Sequence, residues 1–356
     1  MSMQRSNLDA CRPTRQAALS NGKILSSAAN GIADFILENG ADPDTVLRTV
    51  GIEERSVRAP RESLELRSYC ALIEAAAHHT RNDNFGLHFG QGFLPERLGL
   101  IGEIALASPT LGASLENLAR YFPYHQQNTQ AAFRKTGSLW QLECRILDGR
   151  IMQRRQDAEL TMGMYLNVVR RCLGVDWAPD EVHFEHPRPE NFQAHQGVFN
   201  APVYFNMPTN ALVFSDRDLQ KPMPGWNAAR MRDLCEALTV LTGSTGTLGL
   251  TDQVVGEIRG QLPLGYPHIE NVAEALQMTR WTLQRRLADH DQIFSDLVER
   301  TRRDLAELYL RQAHMPLRDI ADILGYSEPS AFSRACVRWF EAPPSRVRER
   351  LLTKLV

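Results

Sequence analysis

Residues 317 to 340 read Leu317-Arg318-Asp319-Ile320-Ala321-Asp322-Ile323-Leu324-Gly325-Tyr326-Ser327-Glu328-Pro329-Ser330-Ala331-Phe332-Ser333-Arg334-Ala335-Cys336-Val337-Arg338-Trp339-Phe340. The spacing of the apolar positions predicts a helix over Leu317 to Leu324, a turn at Gly325-Tyr326-Ser327 and a second helix from Glu328 to Phe340. Ser327 can cap the second helix, and Pro329 sits in its first turn, where a missing N–H costs nothing. Phe332 and Cys336 then point inward, which leaves Ser330, Ser333, Arg334 and Arg338 on the outer face. Ala321 is small enough to let the two helices cross closely, as a helix-turn-helix requires.

The same plan stands 48 residues upstream, where Ala273 matches Ala321. Ile269, Val272, Ala273 and Leu276 share one helical face, a break follows at Gln277-Met278, and Thr279 is a plausible N-cap for a helix from Arg280 to His290. Leu283 and Leu287 turn inward, so Arg280, Trp281, Gln284 and Arg285 are free to face outward. The two units, residues 269–290 and 317–340, are joined by an amphipathic stretch from Ile293 to Gln312 that would span roughly 30 Å as a helix. Successive major-groove faces of B-DNA lie roughly 34 Å apart, so one chain can lay two recognition helices into adjacent turns. Arginine reads guanine and glutamine reads adenine in that groove. Arg300, Arg302, Arg303, Arg346 and Arg348 either touch phosphates or are simply solvated.

Residues Asp252 to Arg350 resemble the DNA-binding domain of the AraC/XylS family of bacterial regulators. The resemblance rests on Ala-Glu-Ala-Leu at 273–276, Thr-Leu-Gln-Arg-Arg-Leu at 282–287, the run from Ile320 to Ala335, Trp339-Phe340 and Pro343-Pro344-Ser345. It implies base contacts from Trp281, Gln284 and Arg285 in the first unit and from Pro329, Ser330 and Arg334 in the second. Pro329 and Ser330 make no bidentate contacts, so the second unit is expected to read less sequence. More weakly, the chain from Ile24 to Leu238 resembles the arabinose-binding-type sensor domain of this family, through Leu98-Gly99-Leu100-Ile101-Gly102, Ala107-Ser108-Pro109-Thr110-Leu111 and Phe184-Glu185-His186-Pro187-Arg188-Pro189. Such domains are taken to bind a small effector, to dimerise, or both.

The remaining sequence fits a regulator of this kind. At 356 residues the chain exceeds one ordinary core, and 43% hydrophobic with 23% charged residues is a globular composition. The expected division is a flexible tail at 1–23, an α+β effector-sensing and dimerisation domain at 24–241, a linker at 242–250 and an all-α DNA reader at 251–356. Helices are expected at Ile24 to Glu38, from Asp42-Pro43 up to Gly51, and over Leu66 to His79, Thr110 to Tyr121, Met152 to Cys172 and Trp226 to Leu241. Strands are expected around Gly137, at Ala131 to Phe133 and Ser138 to Ile146, and again at Val182 to Phe184, Pro202 to Phe205 and Ala211 to Phe214. Thr242-Gly243-Ser244-Thr245-Gly246-Thr247 has linker composition.

Charge offers little support, since the net value is -2 and only four of the 40 basic residues are lysines. The six cysteines form no C-x-x-C pair, so neither a zinc ribbon nor a disulfide framework is indicated and reduced thiols are expected. His183-Phe184-Glu185-His186 lacks further metal ligands and reads as structural or hydrogen-bonding histidine. No nucleophile elbow, P-loop or dinucleotide fingerprint occurs, so no enzyme, cofactor or metal is expected. Neither a signal-peptide core nor an apolar stretch of ~18 residues is present, which points to a cytoplasmic protein without a membrane partner. The function expected is a sequence-specific, effector-responsive activator that binds double-stranded DNA as a homodimer and, as an activator, contacts RNA polymerase. The alternative is a ligand-independent DNA-binding repressor or architectural protein.

Overall fold

The protein, seen in a computed structural model, is described for residues 22–58, 62–242 and 250–353. Residues 1–21 of the expected tail and 243–249 of the expected linker lie outside them. The N-terminal part contains strands β1 (Lys23–Leu25), β2 (Ser63–Glu65), β3 (Thr129–Thr136), β4 (Leu139–Ile146), β5 (Glu181–His183), β6 (Val203–Tyr204) and β7 (Asn210–Phe214). Its helices are α1 (Ile32–Glu38), α2 (Pro43–Thr49), α3 (Glu54–Arg58), α4 (Leu66–Thr80), α5 (Phe85–Gly92), α6 (Leu100–Leu106), α7 (Leu111–His125), α8 (Arg155–Leu173), α9 (Gln193–Phe199) and α10 (Ala228–Thr242). The C-terminal part is helical: α11 (Leu250–Gln261), α12 (Ile269–Ala275), α13 (Arg280–Ala288), α14 (Phe294–Leu310), α15 (Leu317–Ile323), α16 (Pro329–Phe340) and α17 (Pro344–Thr353).

Five strands form one sheet in the order β3-β4-β7-β5-β6, antiparallel throughout except for the parallel pair β5 and β6. The β3-β4 hairpin turns at Gly137, whose φ of 63° lies in the left-handed region, and Thr136 pairs with Leu139 across it. The expected helix from Ile24 to Glu38 is divided. Residues Lys23–Leu25 pair with β2, Ser26–Ala29 form one 3-10 turn, and only Ile32–Glu38 is α-helical. The Ser26 amide donates to Glu62 O at 3.0 Å, and Gly31 is left-handed at φ 89°, so the backbone cannot run on as one helix.

Helix α8 runs through the middle of the N-terminal core, with Leu160, Met162, Tyr165, Leu166, Val168 and Val169 all buried. Helix α5, absent from the sequence reading because its glycines argue against helix, packs directly on α8. A side chain at Gly90 would overlap the Leu160 backbone, with Cα at 2.7 Å from the added carbon, so glycine is what permits the crossing. The α8 carboxylate of Glu159 is fully buried and faces His195 Nε2 at 2.8 Å, Arg155 Nε at 2.8 Å and His186 Nε2 at 3.4 Å. Burial alone would raise this carboxyl, but the Arg155 guanidinium and the histidines hold it down at about 2. His186 is thus part of an internal polar network, while His183 Nε2 meets Glu181 at 2.8 Å. Among the described residues no group of three or more His, Cys, Asp or Glu is arranged to hold a metal ion. Cys70, Cys144 and Cys336 are buried thiols.

The apolar cores are separate. One gathers residues between Ile24 and Leu238, and the other residues between Val254 and Val347. Helix α11 joins the second core through Val254 and Ile258 and turns its other side to the sheet end of the first. There Glu257 meets Arg145 at 2.6 Å, both side chains being nearly buried, and Arg259 donates to the carbonyls of Ile151 and Met152 at 3.1 Å each. Gly256 lies so close to Leu147 that an added side chain would collide with its carbonyl, which makes this a tight contact. No helix among the described residues is long and apolar enough to cross a membrane.

Candidate nucleic-acid interface

Two helix pairs carry the candidate interface, and they are built alike. In α12 and α13, Leu276 N donates to Val272 O at 3.1 Å, Gln277 N to Glu274 O at 2.9 Å and Met278 N to Ala273 O at 2.8 Å. In α15 and α16, Leu324 N donates to Ile320 O at 3.1 Å, Gly325 N to Asp322 O at 2.9 Å and Tyr326 N to Ala321 O at 3.0 Å. Every donor and acceptor is displaced by the same 48 positions. Each pattern closes its helix with a residue in the left-handed region, Gln277 at φ 55° and Gly325 at φ 71°. The matched alanines Ala273 and Ala321 are buried at the crossings, as their size predicts.

Helix α13 begins as expected, with the Thr279 hydroxyl accepting from Thr282 N at 3.1 Å. Leu283 and Leu287 are buried, and Arg280, Trp281, Gln284 and Arg285 are exposed. Trp281 stands 65% exposed beneath the Arg285 guanidinium, whose carbon lies 4.6 Å from the ring centroid. That contact holds the arginine over an aromatic face without using its hydrogen-bond donors. Arg280 pairs with Glu270 at 2.7 Å, and both side chains are more than half exposed.

Helix α16 starts differently from the expectation. Glu328, in extended conformation, occupies the N-cap without a capping side-chain bond, and Pro329 takes the first turn; Ser327 does not cap. Phe332 and Cys336 are buried, Ser330, Arg334 and Arg338 are exposed, and Ser333 is half-buried with its hydroxyl on Pro329 O at 3.1 Å. Arg338 is tied to Glu299 of α14, which also accepts from Trp339 Nε1 at 3.3 Å. Arg334 makes no ion pair or side-chain hydrogen bond among the described residues, and neither does Gln284. Of the eight sequence-derived positions, Trp281, Gln284, Arg285, Ser330 and Arg334 are thus the exposed ones without a competing polar partner. Glu299 lay beyond sequence reasoning, since only the folded chain brings it beside residues 39 and 40 positions away.

Not all flanking arginines can reach DNA. Arg302 is 4% exposed, donates to Gly325 O at 2.8 Å and lies between the rings of Tyr266 and Tyr326, 4.9 and 4.3 Å from their centroids. It buttresses the α15-α16 turn, so neither phosphate contact nor solvation describes it. Arg348 likewise spends a donor on Met315 O at 2.5 Å. Burial pushes the Tyr326 hydroxyl up to about 12, so it stays protonated beside that arginine.

Residues 40–223 match the family model described as the arabinose-binding domain of AraC transcription regulators, N-terminal, and residues 272–350 match a helix-turn-helix domain. The chain is 29% identical over 324 residues to the HTH-type transcriptional regulator VirS of Mycobacterium tuberculosis, covering 89% of this chain and 94% of that one. It is 24% identical over 338 residues to the ornithine utilization regulator of Pseudomonas aeruginosa, covering 90% and 95%. The crystal structure of the transcriptional regulator CdpR from Pseudomonas aeruginosa superposes at a TM-score of 0.40 with 21% identity, covering 89% of this chain and 98% of that one. The N-terminal match alone spans more than half of the chain, which therefore belongs to the AraC family of DNA-binding transcription regulators, with an arabinose-binding-type N-terminal domain and a helix-turn-helix C-terminal domain.

Proposed function

We propose that α12-α13 and α15-α16 are two helix-turn-helix units, that α14 is the spacer between them, and that α13 and α16 enter successive turns of the major groove. The observation that carries this reading is the turn hydrogen-bond pattern repeated at a displacement of 48 residues. At 17 residues, α14 runs about 25 Å, a length compatible with two recognition helices on one side of a duplex. Arg285 and Gln284 supply the strongest base readers, Arg334 a third, and Ser330 a weaker one. Arg280, Ser333 and Arg338 are weaker candidates, because each already holds a polar partner in the free protein.

The division proposed for the whole chain is a tail at 1–23, a sensor at 24–241, a linker at 242–250 and a reader at 251–356. Lys23, the last residue of that tail, already opens β1. The sensor takes a small-molecule effector and dimerises, which sets two readers on repeated half-sites, and the DNA-bound protein activates transcription through RNA polymerase in the cytoplasm without catalysing a reaction. The name of the ornithine utilization regulator supports a metabolite as effector. Fluorescence anisotropy of the full chain on DNA upstream of its own gene, with nonspecific competitor at two salt concentrations, tests the reader. Preferential binding that weakens with salt is expected; a genome-wide pull-down that finds no preferred site, with and without cell extract, overturns the reading.

A further inference from the structure

Between the sensor and the reader lies a cleft of ≈ 1120 Å³ whose walls come from α4, the β4-α8 loop, the segment after β5, α11 and the end of α14. This is ample for a metabolite, since ligand sites commonly measure about 300–1,000 Å³. Its charges are unevenly matched. Arg154 is held in a two-pronged pair with Glu185, Nε to Oε1 at 2.7 Å and Nη2 to Oε2 at 2.9 Å, and Arg155 is taken by Asp83 and Glu159. Arg259, on the reader side, has no carboxylate within ion-pair distance among the described residues; its guanidinium donates only to main-chain carbonyls at 151 and 152 and meets the Tyr309 hydroxyl. Burial, together with the neighbouring Arg154 charge, lowers its pKa to about 10 against the opposing pull of Tyr309 and Glu185.

We propose that this cleft is the effector site and that it takes a small organic carboxylate, bound through that group by the Arg259 guanidinium. A planar fork of donors suits a carboxylate better than two separate carbonyls do. Met152, Leu308 and Ala75 offer apolar surface for the rest of the molecule.

The position of Arg259 couples binding to domain contact. The carbonyls it holds belong to the same loop whose Asp148-Gly149-Arg150 segment lies on α11, with Arg150 3.7 Å from Asp252 and Val255 packed against Gly149. A carboxylate that competes for the guanidinium withdraws two hydrogen bonds from this contact and loosens the reader from the sensor. The inference rests on the effector-responsive reading of the sensor. Its test needs no DNA, so a failed operator search and a failed ligand search remain distinguishable.

The experiment is calorimetry and thermal shift on the full chain with four carboxylates, hexanoate, benzoate, L-ornithine and L-leucine, each beside the amide in which an uncharged carboxamide replaces the carboxylate. At least one acid is expected to bind and raise Tm while its amide does not, and Arg259→Gln should weaken that acid about tenfold or more. Ala75→Phe, which narrows the cleft from the sensor side, should weaken it as well and covers the case in which Arg259→Gln does not fold. Hydrogen exchange of residues 147–154 should quicken on saturation. The proposal is overturned if none of the four acids binds, if acid and amide bind alike, if the variants that fold keep wild-type affinity, or if exchange in the loop is unchanged.

Discussion

The two helix pairs share a backbone and differ in what they ask of it. In the first, the left-handed residue that closes the leading helix is Gln277; in the second it is Gly325, and the space explains why. A side chain at 325 would overlap the carbonyl of Gly265 and approach Leu262 O to 2.8 Å, because this turn is pressed against the end of α11 and its following 3-10 turn. The second turn is also braced by Arg302, buried between two tyrosine rings with a donor on the Gly325 carbonyl. The second pair is thus anchored to the C-terminal core by its turn, whereas the first exposes its turn together with Trp281, Gln284 and Arg285. Gly325→Val should break this comparison most severely, costing about 3 kcal/mol or more through steric overlap added to a disfavoured backbone. Differential scanning calorimetry on the full chain checks it; a Tm equal to wild type would mean that the turn is not packed as described.

The reading faces give the next largest effect. Under the proposed function Arg285→Ala should cost about 1 to 3 kcal/mol of specific binding and relax preference at one base position, since the guanidinium that stands over Trp281 would be the bidentate reader it removes. Arg334→Ala should cost about 1 kcal/mol or less, because its neighbours Pro329 and Ser330 define no base strongly on their own. Selection of bound sequences from a random pool, followed by titration of each variant, measures both energy and preference. Equal losses at the two positions would erase the proposed asymmetry between the units, and silence at both would move the recognition face elsewhere.

The helix pairs were legible in the sequence because local signals agreed. Apolar spacing, Thr279 as a cap, Pro329 in a first turn and the alanines at the crossings all pointed to the same geometry, and the helices begin and end within a few residues of expectation. What escaped depended on distant contacts. Helix α5 carries Gly86 and Gly90, which lower helix propensity and which only its approach to α8 explains. Residues Ile24 to Ala29 carry a helical pattern, but Ile24 and Leu25 are drawn into pairing with β2 and Ser26–Ala29 make only a 3-10 turn. Arg302 looked like any other arginine on an amphipathic helix; its burial depends on Tyr266 and Tyr326, which reach it from two other segments. Likewise Glu299 ties down Arg338 across 39 positions, so a candidate reader became an occupied one.

The smallest expected effect concerns the first turn. Gln277→Gly would make the two turns chemically alike, removing the left-handed cost of about 1 kcal/mol borne by a residue with a Cβ. Glycine also gives the unfolded chain more freedom, at a cost of about 0.5–1 kcal/mol, so the two contributions nearly cancel. Stability should therefore change by less than about 1 kcal/mol, in contrast with the loss from Gly325→Val at the matching position. Specific DNA binding should be unchanged, because the substitution alters neither the Thr279 cap nor the exposed face of α13. A large loss of stability would show that the Gln277 side chain is itself a support, and the two turns would then differ in mechanism as well as in sequence.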